Sequence, residues 1–200
     1  MKKLILASRN EHKIQELRET LADLDIELKS ALDFKELQEV EEDKLTLEGN
    51  ALKKARYVFE KTGLPTLADD TGLEVDALDG RPGVFSARYA GEDASYQDNT
   101  DKLLAELAKV DNKDRLAQFR TVVAFIDENG EKHFFEGICR GKILKEERGD
   151  KGFGYDPVFQ PEGYEETFAQ LDSEEKNNIS HRGRAIQKFY DWLQNAMRDE

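Results

Sequence analysis

The sequence contains little of what builds disulfide scaffolds, zinc sites or membrane spans. Cys139 is the single cysteine among 200 residues and there are 3 histidines, so no internal disulfide can form, and no Cys/His pairs stand at zinc-site spacing. The longest apolar runs are only a few residues, against the roughly 20 that cross a bilayer. These absences exclude a disulfide-stapled fold, a zinc finger and a membrane-spanning helix.

The amino-terminal segment resembles the beginning of a signal peptide but is too short to be one. Lys2 and Lys3 precede the apolar residues Leu4–Ala7, and polar residues follow directly. A signal peptide needs an apolar core of roughly 7–15 residues. We therefore predict a first β-strand here and, with one cysteine and no targeting signal, a cytoplasmic protein.

The charge balance limits the partners. The chain has 43 Asp and Glu residues against 30 Lys and Arg residues, a net charge of −13, whereas coating DNA or RNA requires a basic face. A small anionic ligand is not excluded, because it needs only a local cluster of cations. We expect a single domain over residues 1–200, large enough to bury a sizeable core, which binds neither a nucleic-acid polymer nor a membrane.

Strand and helix patterns alternate along the chain. The first half predicts a strand at Lys3–Ala7, a helix capped by Asn10, weakly patterned acidic residues at 25–46, a helix around Ala51–Phe59 ended by Gly63, and a strand from Thr66 to Val75. The second half predicts a loop at 79–93, a helix from Tyr96 to Val110, a hairpin of Phe119–Ile126 and Lys132–Cys139, a short strand at Lys142–Leu144, a glycine-rich loop at Gly149–Pro157, and a final helix around Ala185–Ala196 with Ser180 as its candidate cap. This order predicts an α/β fold with a mixed sheet covered by helices.

The segment Ser8–Lys13 joins a strand end to a helix start. Backbone N–H groups and the helix dipole favour an anion at such a position, and Arg9 and Lys13 add positive charge. The spacing of a Walker A loop is absent. A solvated helix start with ordinary surface cations is the alternative.

Two adjacent acids, Asp69 and Asp70, stand at the end of an apolar stretch. A buried carboxylate is costly unless it is paired or binds a metal, and neighbours on a strand face opposite ways. One of the two is therefore a candidate for chemistry. A simple turn with Gly72 is one alternative, and the Asp-Thr-Gly signature of aspartic proteases, which would require a symmetric dimer, is another.

The acidic segment Glu39–Asp43 is either a solvated loop or the source of a second metal ligand. In the latter case one of its glutamates joins Asp69 or Asp70 to hold Mg²⁺, which prefers oxygen ligands and takes few of them from protein.

Two further segments suit a nucleotide. Phe153 lies between two glycines in the loop Gly149–Pro157, where its ring could stack on a nucleobase while Asp156 accepts hydrogen bonds; a tight turn with Phe153 and Tyr155 buried is the alternative. Lys176 and the residues Ser180–Arg184 form a basic island suited to phosphate or a purine edge. A Ser-x-x-Lys match at Ser173–Lys176 lacks its partner motifs, and Asp172 with Glu175 fits a helix cap better.

Together these groups predict a nucleoside triphosphate site in a Mg²⁺-dependent hydrolase. The metal would neutralise phosphate charge and lower the pKa of an attacking water, and an aspartate near that water would take its proton.

Five segments in order resemble the inosine triphosphate pyrophosphatase family, also called the Ham1-like family, along essentially the whole chain. They are Ser8–Lys13, Ala68–Leu73, Pro82–Gly91, Gly152–Phe159 and Glu174–Gly183. The resemblance implies homodimers that use Mg²⁺ to hydrolyse ITP, dITP and XTP to the monophosphate and pyrophosphate. It also implies an elongated mixed β-sheet flanked by helices, in two lobes with a central cleft.

The resemblance also implies roles for individual residues. Asp70 would be the proton acceptor and a metal ligand, and Glu41 the second metal ligand, a choice over Glu42 that rests on alignment alone. The residues implied to bind the substrate are Ser8, Arg9, Asn10, Glu11, His12, Lys13, Thr71, Phe153, Gly154, Tyr155, Asp156, Lys176, His181 and Arg182.

The chain departs from the family pattern at one place. Many members have Glu-Asn-Ala where this chain has Glu48-Gly49-Asn50-Ala51, so Gly49 takes the usual glutamate position. Two other functions stay open: a Maf-like pyrophosphatase acting on other nucleotides, and a nucleotide-binding regulator without turnover.

Overall fold

Strands and helices alternate along residues 2–198, which are the residues that the computed structural model describes. The strands are β1 (Lys2–Leu6), β2 (Ile26–Ser30), β3 (Thr66–Val75), β4 (Pro82–Gly83), β5 (Leu116–Ile126), β6 (Lys132–Ile143) and β7 (Phe159–Pro161). The helices are α1 (Glu11–Thr20), α2 (Leu47–Thr62), α3 (Tyr96–Glu106), α4 (Ser173–Ile179) and α5 (His181–Arg198). No helix within residues 2–198 is long and apolar enough to cross a bilayer.

The seven strands form one mixed sheet in the order β2-β1-β3-β5-β6-β7, and β4 pairs with β3 off this path. Strand β1 is parallel to both β2 and β3, with Leu6 opposite Leu67 in the second pair. The pairs β3–β4 and β6–β7 are antiparallel. The predicted α/β class with a mixed sheet is therefore confirmed.

The chain divides into two compact units. Unit 1 comprises residues 1–70, 121–137 and 182–200, and unit 2 comprises residues 71–120 and 138–181.

The core of unit 1 follows from the alternation of side chains along β1. Leu4 and Leu6 pack with residues of α1 and α5, such as Leu17 and Phe189. Ile5, which points to the opposite face of the sheet, packs with the small apolar stripe of α2, which includes Ala51 and Ala55. Both faces of the sheet in this unit are thus covered by helices.

The core of unit 2 is built on the second half of β3 and on α3. Leu73 and Leu103 pack there with a cluster of aromatic rings that includes Phe119, Phe159 and Phe168. The Arg115 side chain is also fully buried, and its guanidinium donates to the carbonyls of Leu107, Ile143 and Leu144 at 2.6, 2.8 and 2.8 Å.

Two parts of the chain differ from the sequence expectation, and one helix cap agrees with it. Residues 25–46 contain β2, which their composition did not reveal, because all of its residues but Ser30 are only half-buried. The short strand predicted at Lys142–Leu144 is wrong as a separate element, because β6 runs without a break to Ile143. Helix α4 precedes the final helix, and Asp172 caps it by accepting a hydrogen bond from the Glu175 amide at 2.8 Å, as predicted.

Candidate active site

Asn10 ends the loop between β1 and α1 and caps the helix. Its Oδ1 atom accepts hydrogen bonds from the amides of His12 and Lys13 at 3.0 and 3.3 Å, which confirms the predicted N-cap. The Ser8 hydroxyl accepts from the Asn10 amide at 3.2 Å, and the Arg9 guanidinium donates to the Leu37 carbonyl. Glu11 and His12 are exposed in the first helical turn. The side chain of Asn10 therefore engages two amides that an anion at this helix start would otherwise use.

Asp69 is the centre of a buried ion network in unit 1. Its Oδ2 atom lies 2.9 Å from Lys13 Nζ and 3.3 Å from Arg182 Nε, and Arg182 Nη1 lies 2.7 Å from Glu16 Oε2. Burial alone would raise the pKa of Asp69, but the cations of Lys13, Arg182 and Lys54 outweigh it and hold that pKa well below its usual range. Asp69 is therefore a permanent anion that fixes two cations.

Asp70, the next residue, has a different environment. Asn50 Nδ2 donates to Asp70 Oδ2 at 3.0 Å, and Lys54 Nζ lies 3.8 Å from Oδ1. Burial, with a further contribution from the nearby Glu42 carboxylate, raises the pKa of Asp70 to about 6 although Lys54 opposes the shift. Asp70 is thus a carboxylate at neutral pH with an affinity for protons well above that of an ordinary aspartate.

Glu41 and Glu42 have different environments in the structure. The Glu41 side chain is exposed, and its backbone carbonyl accepts a hydrogen bond from Lys53 Nζ at 2.7 Å. Glu42 is half-buried and forms an ion pair with Lys54, the same cation that neighbours Asp70. The contacts therefore favour Glu42 over Glu41 as the carboxylate that acts with Asp70.

A second cluster of potential ligands lies at the β5–β6 hairpin. The ligand atoms of Asp127, Glu131 and His133 all lie within 4.8 Å of one another. However, Asp127 Oδ1 accepts from the amides of Asn129 and Glu131 at 2.9 Å each, and Oδ2 lies 3.2 Å from His133 Nε2. These bonds close the hairpin turn, so the carboxylate already has a structural role.

The glycine-rich loop of unit 2 is organised by Asp156. Its buried Oδ2 atom accepts from the Phe153 amide at 2.8 Å and from Lys176 Nζ at 2.7 Å. The same ammonium lies 5.1 Å from the centroid of the half-buried Phe153 ring. Asp156, Phe153 and Lys176, which the sequence placed in two separate segments, thus form one cluster.

Other residues hold this loop in place. The buried Tyr155 hydroxyl donates to the Ser86 carbonyl at 2.9 Å, and burial raises the pKa of that phenol. The His181 ring stacks on Phe119 with centroids 4.5 Å apart. Thr71 lies half-buried on β3, and Gly154 carries the carbonyl that accepts from Thr100 Oγ1 at 3.5 Å.

The residues of the predicted basic island fall in both compact units. Lys176 and His181 belong to unit 2, whereas Arg182 belongs to unit 1, where it is 5% exposed between Glu16 and Asp69. Arg184 is exposed. Arg182 therefore has the environment of a residue that positions Asp69, in addition to the substrate contact that the sequence implied.

Sequence reasoning missed Asn50, Lys54 and Glu16. Asn50 and Lys54 are four residues apart on α2 and so share one face of the helix, the face that presents them to Asp70. That i, i+4 spacing of two polar residues on either side of the apolar positions Ala51 and Leu52 was the available signal. The contact of Glu16 with Arg182 spans 166 residues and left no local pattern.

A family model described as the Ham1 family matches residues 4–192. The dITP/XTP pyrophosphatase of Flavobacterium psychrophilum is 50% identical over 192 residues, which cover 96% of this chain and 99% of that protein. The dITP/XTP pyrophosphatase of Porphyromonas gingivalis is 50% identical over 193 residues, covering 96% of this chain and 98% of that protein.

Solved structures show the same fold. The HAM1 protein of Coxiella burnetii matches with a TM-score of 0.90 and 42% identity, over 98% of this chain and 100% of that chain. The Ham1 protein of Staphylococcus aureus matches with a TM-score of 0.88 and 37% identity, again over 98% of this chain and 100% of that chain.

Proposed function

The chain belongs to the Ham1 family, and from that premise we propose that it hydrolyses deaminated purine nucleoside triphosphates (ITP, dITP and XTP) to the nucleoside monophosphate and pyrophosphate. Relatives with half of their residues identical are dITP/XTP pyrophosphatases. The observation that carries the proposal is the environment of Asp70: a buried carboxylate, oriented by Asn50, with a pKa raised to about 6.

Asp70 is the proposed proton acceptor. A general base works best when its pKa lies near the pH at which it operates, because it is then both ionised and appreciably basic. With a pKa of about 6, Asp70 meets both conditions at neutral pH. The amide of Asn50 fixes the Oδ2 side of the carboxylate.

Lys13 and Lys54 are the proposed cations for the triphosphate. Both ammonium groups are held by carboxylates, Lys13 by Asp69 and Lys54 by Glu42 and Asp70, so their positions are set before a phosphate arrives. Such prior ordering reduces the entropy that binding would otherwise lose.

Asp70 and Glu42 are the proposed protein ligands of Mg²⁺. Their donors are carboxylate oxygens, which this ion prefers, and two protein ligands suffice because Mg²⁺ keeps several waters and takes oxygens from substrate phosphates. When bound, the ion would neutralise phosphate charge and lower the pKa of water.

Lys176 and Phe153 are the proposed base-recognition residues. The Phe153 ring offers a stacking surface, and Lys176, fixed by Asp156 at 2.7 Å, is a donor for the oxo group at purine C6. Adenine carries an amino group there, which leaves the ammonium without an acceptor. A site built for one hydrogen bond discriminates strongly against a base that cannot accept it.

We further propose that residues 1–200 act as one Ham1-like domain, in line with a single family model over residues 4–192. The proposed state is a cytoplasmic homodimer. Light scattering after size-exclusion chromatography should give about twice the mass of the chain, and the mass of one chain would contradict the dimer.

The deciding experiment measures phosphate released from ITP, dITP, XTP, GTP and ATP in Mg²⁺, with and without added inorganic pyrophosphatase. We expect phosphate from ITP, dITP and XTP only when that enzyme is present, because cleavage lies between the α and β phosphates. Phosphate without it would mean removal of the terminal group and would overturn the proposal.

Two further outcomes separate the alternatives. Strong hydrolysis of UTP or dTTP without hydrolysis of ITP would favour the Maf-like function. Tight ITP binding with no product in Mg²⁺ would favour a regulator without turnover.

A further inference from the structure

The first turn of α3 presents a large aromatic ring to solvent. Tyr96 is 51% exposed, and its ring centroid lies 6.0 Å from that of Phe153 at an interplanar angle of 40°. A capping box fixes this turn: Ser95 Oγ accepts from the Asp98 amide at 3.1 Å, and Asp98 Oδ2 accepts from the Ser95 amide at 2.8 Å. Tyr96 therefore stands on a rigid support rather than on a mobile loop.

The same helix is attached to the segment that carries Phe153. Thr100, one helical turn after Tyr96, donates to the Gly154 carbonyl at 3.5 Å. Gln97 Nε2 donates to Glu147 Oε1 at 2.6 Å. Gln97 and Thr100, which both follow Tyr96 on α3, thus hold the helix against residues 147–154 and support the relative position of the two rings.

The geometry of the ring pair decides how a base could use it. Stacked atoms lie about 3.5 Å apart, so a base sandwiched between two parallel rings needs a separation of about 7 Å. The centroids of Tyr96 and Phe153 are 6.0 Å apart and the rings are tilted, so they leave no such gap. A base that contacts both rings must therefore lie across them rather than between them.

We propose that Tyr96 is a specificity-determining residue that extends the Phe153 stacking surface to the width of a two-ring base. The inference rests on the proposed function for the role of Phe153. A purine spans both rings of the extended surface, whereas a one-ring pyrimidine is covered by Phe153 alone. Tyr96 then favours purine over pyrimidine nucleotides without forming a hydrogen bond to the base.

The test compares Tyr96→Ala and Tyr96→Phe with the unaltered chain. The control is Phe134→Ala, which removes a ring of similar exposure, 46%, from β6 in unit 1. Binding of IMP and of UMP is measured by calorimetry, and KM and kcat are measured for ITP. Tyr96→Ala should weaken IMP binding and raise KM for ITP about three- to tenfold, the range of an aromatic contact, with kcat and UMP binding unchanged. Tyr96→Phe and Phe134→Ala should match the unaltered chain.

Equal IMP affinity in Tyr96→Ala and the unaltered chain would overturn the inference, as would equal losses for IMP and UMP. If Tyr96→Ala is unfolded at the assay temperature, Tyr96→Leu, which keeps apolar volume without an aromatic face, gives the same comparison. If the unaltered chain binds IMP but does not hydrolyse ITP, the proposed function fails, and the IMP affinities still decide the role of Tyr96. Absence of both IMP binding and ITP hydrolysis would overturn both, and if ITP is hydrolysed without measurable IMP binding, the KM values for ITP decide the role of Tyr96.

Discussion

Asp69 and Asp70 are consecutive residues of β3, yet their environments shift their pKa values in opposite directions. The cations of Lys13 and Arg182 hold the pKa of Asp69 well below its usual range against the effect of burial. Burial and Glu42 raise the pKa of Asp70 to about 6, although Lys54 lies within salt-bridge range of it. Two neighbours on one strand are thereby divided into a structural anion and a candidate base.

Replacing these residues by asparagine should change stability with opposite signs. At pH 7 Asp70→Asn should raise the free energy of unfolding by about 1–3 kcal/mol, because it removes a buried charge whose pKa is about 6 against an ordinary 3.8. It should also lower kcat at least a hundredfold through loss of the base. Asp69→Asn should lower the free energy of unfolding by about 3 kcal/mol, because it leaves buried cations without their partner.

The pH dependence of urea unfolding checks both signs. Because the pKa of Asp70 is raised, the native state keeps a proton between about pH 4 and 6 that the unfolded state loses. The Asp70 carboxylate therefore lowers the free energy of unfolding increasingly as the pH rises through that window, and it has no such effect below pH 4. The lowered pKa of Asp69 means that its contribution persists at pH 4 and fades only at more acidic pH. An Asp70→Asn variant that is less stable than the unaltered chain at pH 7 would contradict this assignment.

Removing the Glu42 carboxylate should weaken activation by Mg²⁺ far more than removing that of Glu41. Glu42 shares Lys54 with Asp70, whereas the Glu41 side chain is exposed. In the Glu42→Gln variant the Mg²⁺ concentration for half-maximal ITP hydrolysis should rise about tenfold or more.

Glu41→Gln is the matched control, since it makes the same chemical change one residue away. Its half-maximal Mg²⁺ concentration should stay within about twofold of the original. The reverse order of the two variants would return the metal role to Glu41, as the family resemblance implied.

Much of the framework follows from local patterns. The cap at Asn10, the apolar stripe of α2 and the turn between β5 and β6 depend on residues a few positions apart, and all three were predicted. The expectation that Asp69 and Asp70 face opposite ways follows from the alternation of side chains along a strand.

What could not be predicted depends on distant partners. Arg182 suits a phosphate when only its neighbours in sequence are seen, but it pairs with Glu16, 166 residues away. The choice of Glu42 over Glu41 depends on Lys54 of α2, twelve residues further on. Strand β2 lacks a strong apolar alternation because its side chains are mostly half-buried. Its place in the sheet depends on backbone pairing with β1, which leaves no local pattern in the sequence.

Gly49 should be required by close packing, although it lies inside a helix. A Cβ atom at this position would lie 2.8 Å from Lys44 Cβ and 3.0 Å from Thr46 Oγ1, the cap that accepts from the Gly49 amide. Gly→Ala within a helix ordinarily gains about 1 kcal/mol. Gly49→Ala should instead lose about 1–2 kcal/mol of unfolding free energy, measured by urea denaturation, because the loop at 44–46 must move.

A double-mutant cycle with Lys44→Gly tests the cause of that loss. Lys44→Gly removes the atom that the new methyl group would meet, so Gly49→Ala should cost less in that background. An equal cost in both backgrounds would show that the Lys44 contact is not responsible.

Gly152 and Gly154 should respond differently to alanine, although both have positive φ values, 75° and 61°. A Cβ atom at Gly152 would lie 2.2 Å from Asp156 Oδ2, the atom that accepts from the Phe153 amide and from Lys176. A Cβ atom at Gly154 would meet nothing within 4 Å, so that variant bears only the backbone strain of about 1–2 kcal/mol. Gly152→Ala should therefore displace the carboxylate that fixes both proposed base contacts and raise KM for ITP about tenfold or more, with Gly154→Ala within about threefold of the original. Steady-state kinetics gives the comparison, and thermal unfolding confirms that both variants are folded. Equal KM values for the two variants would show that Asp156 is not needed for base recognition and that Phe153 and Lys176 act without it.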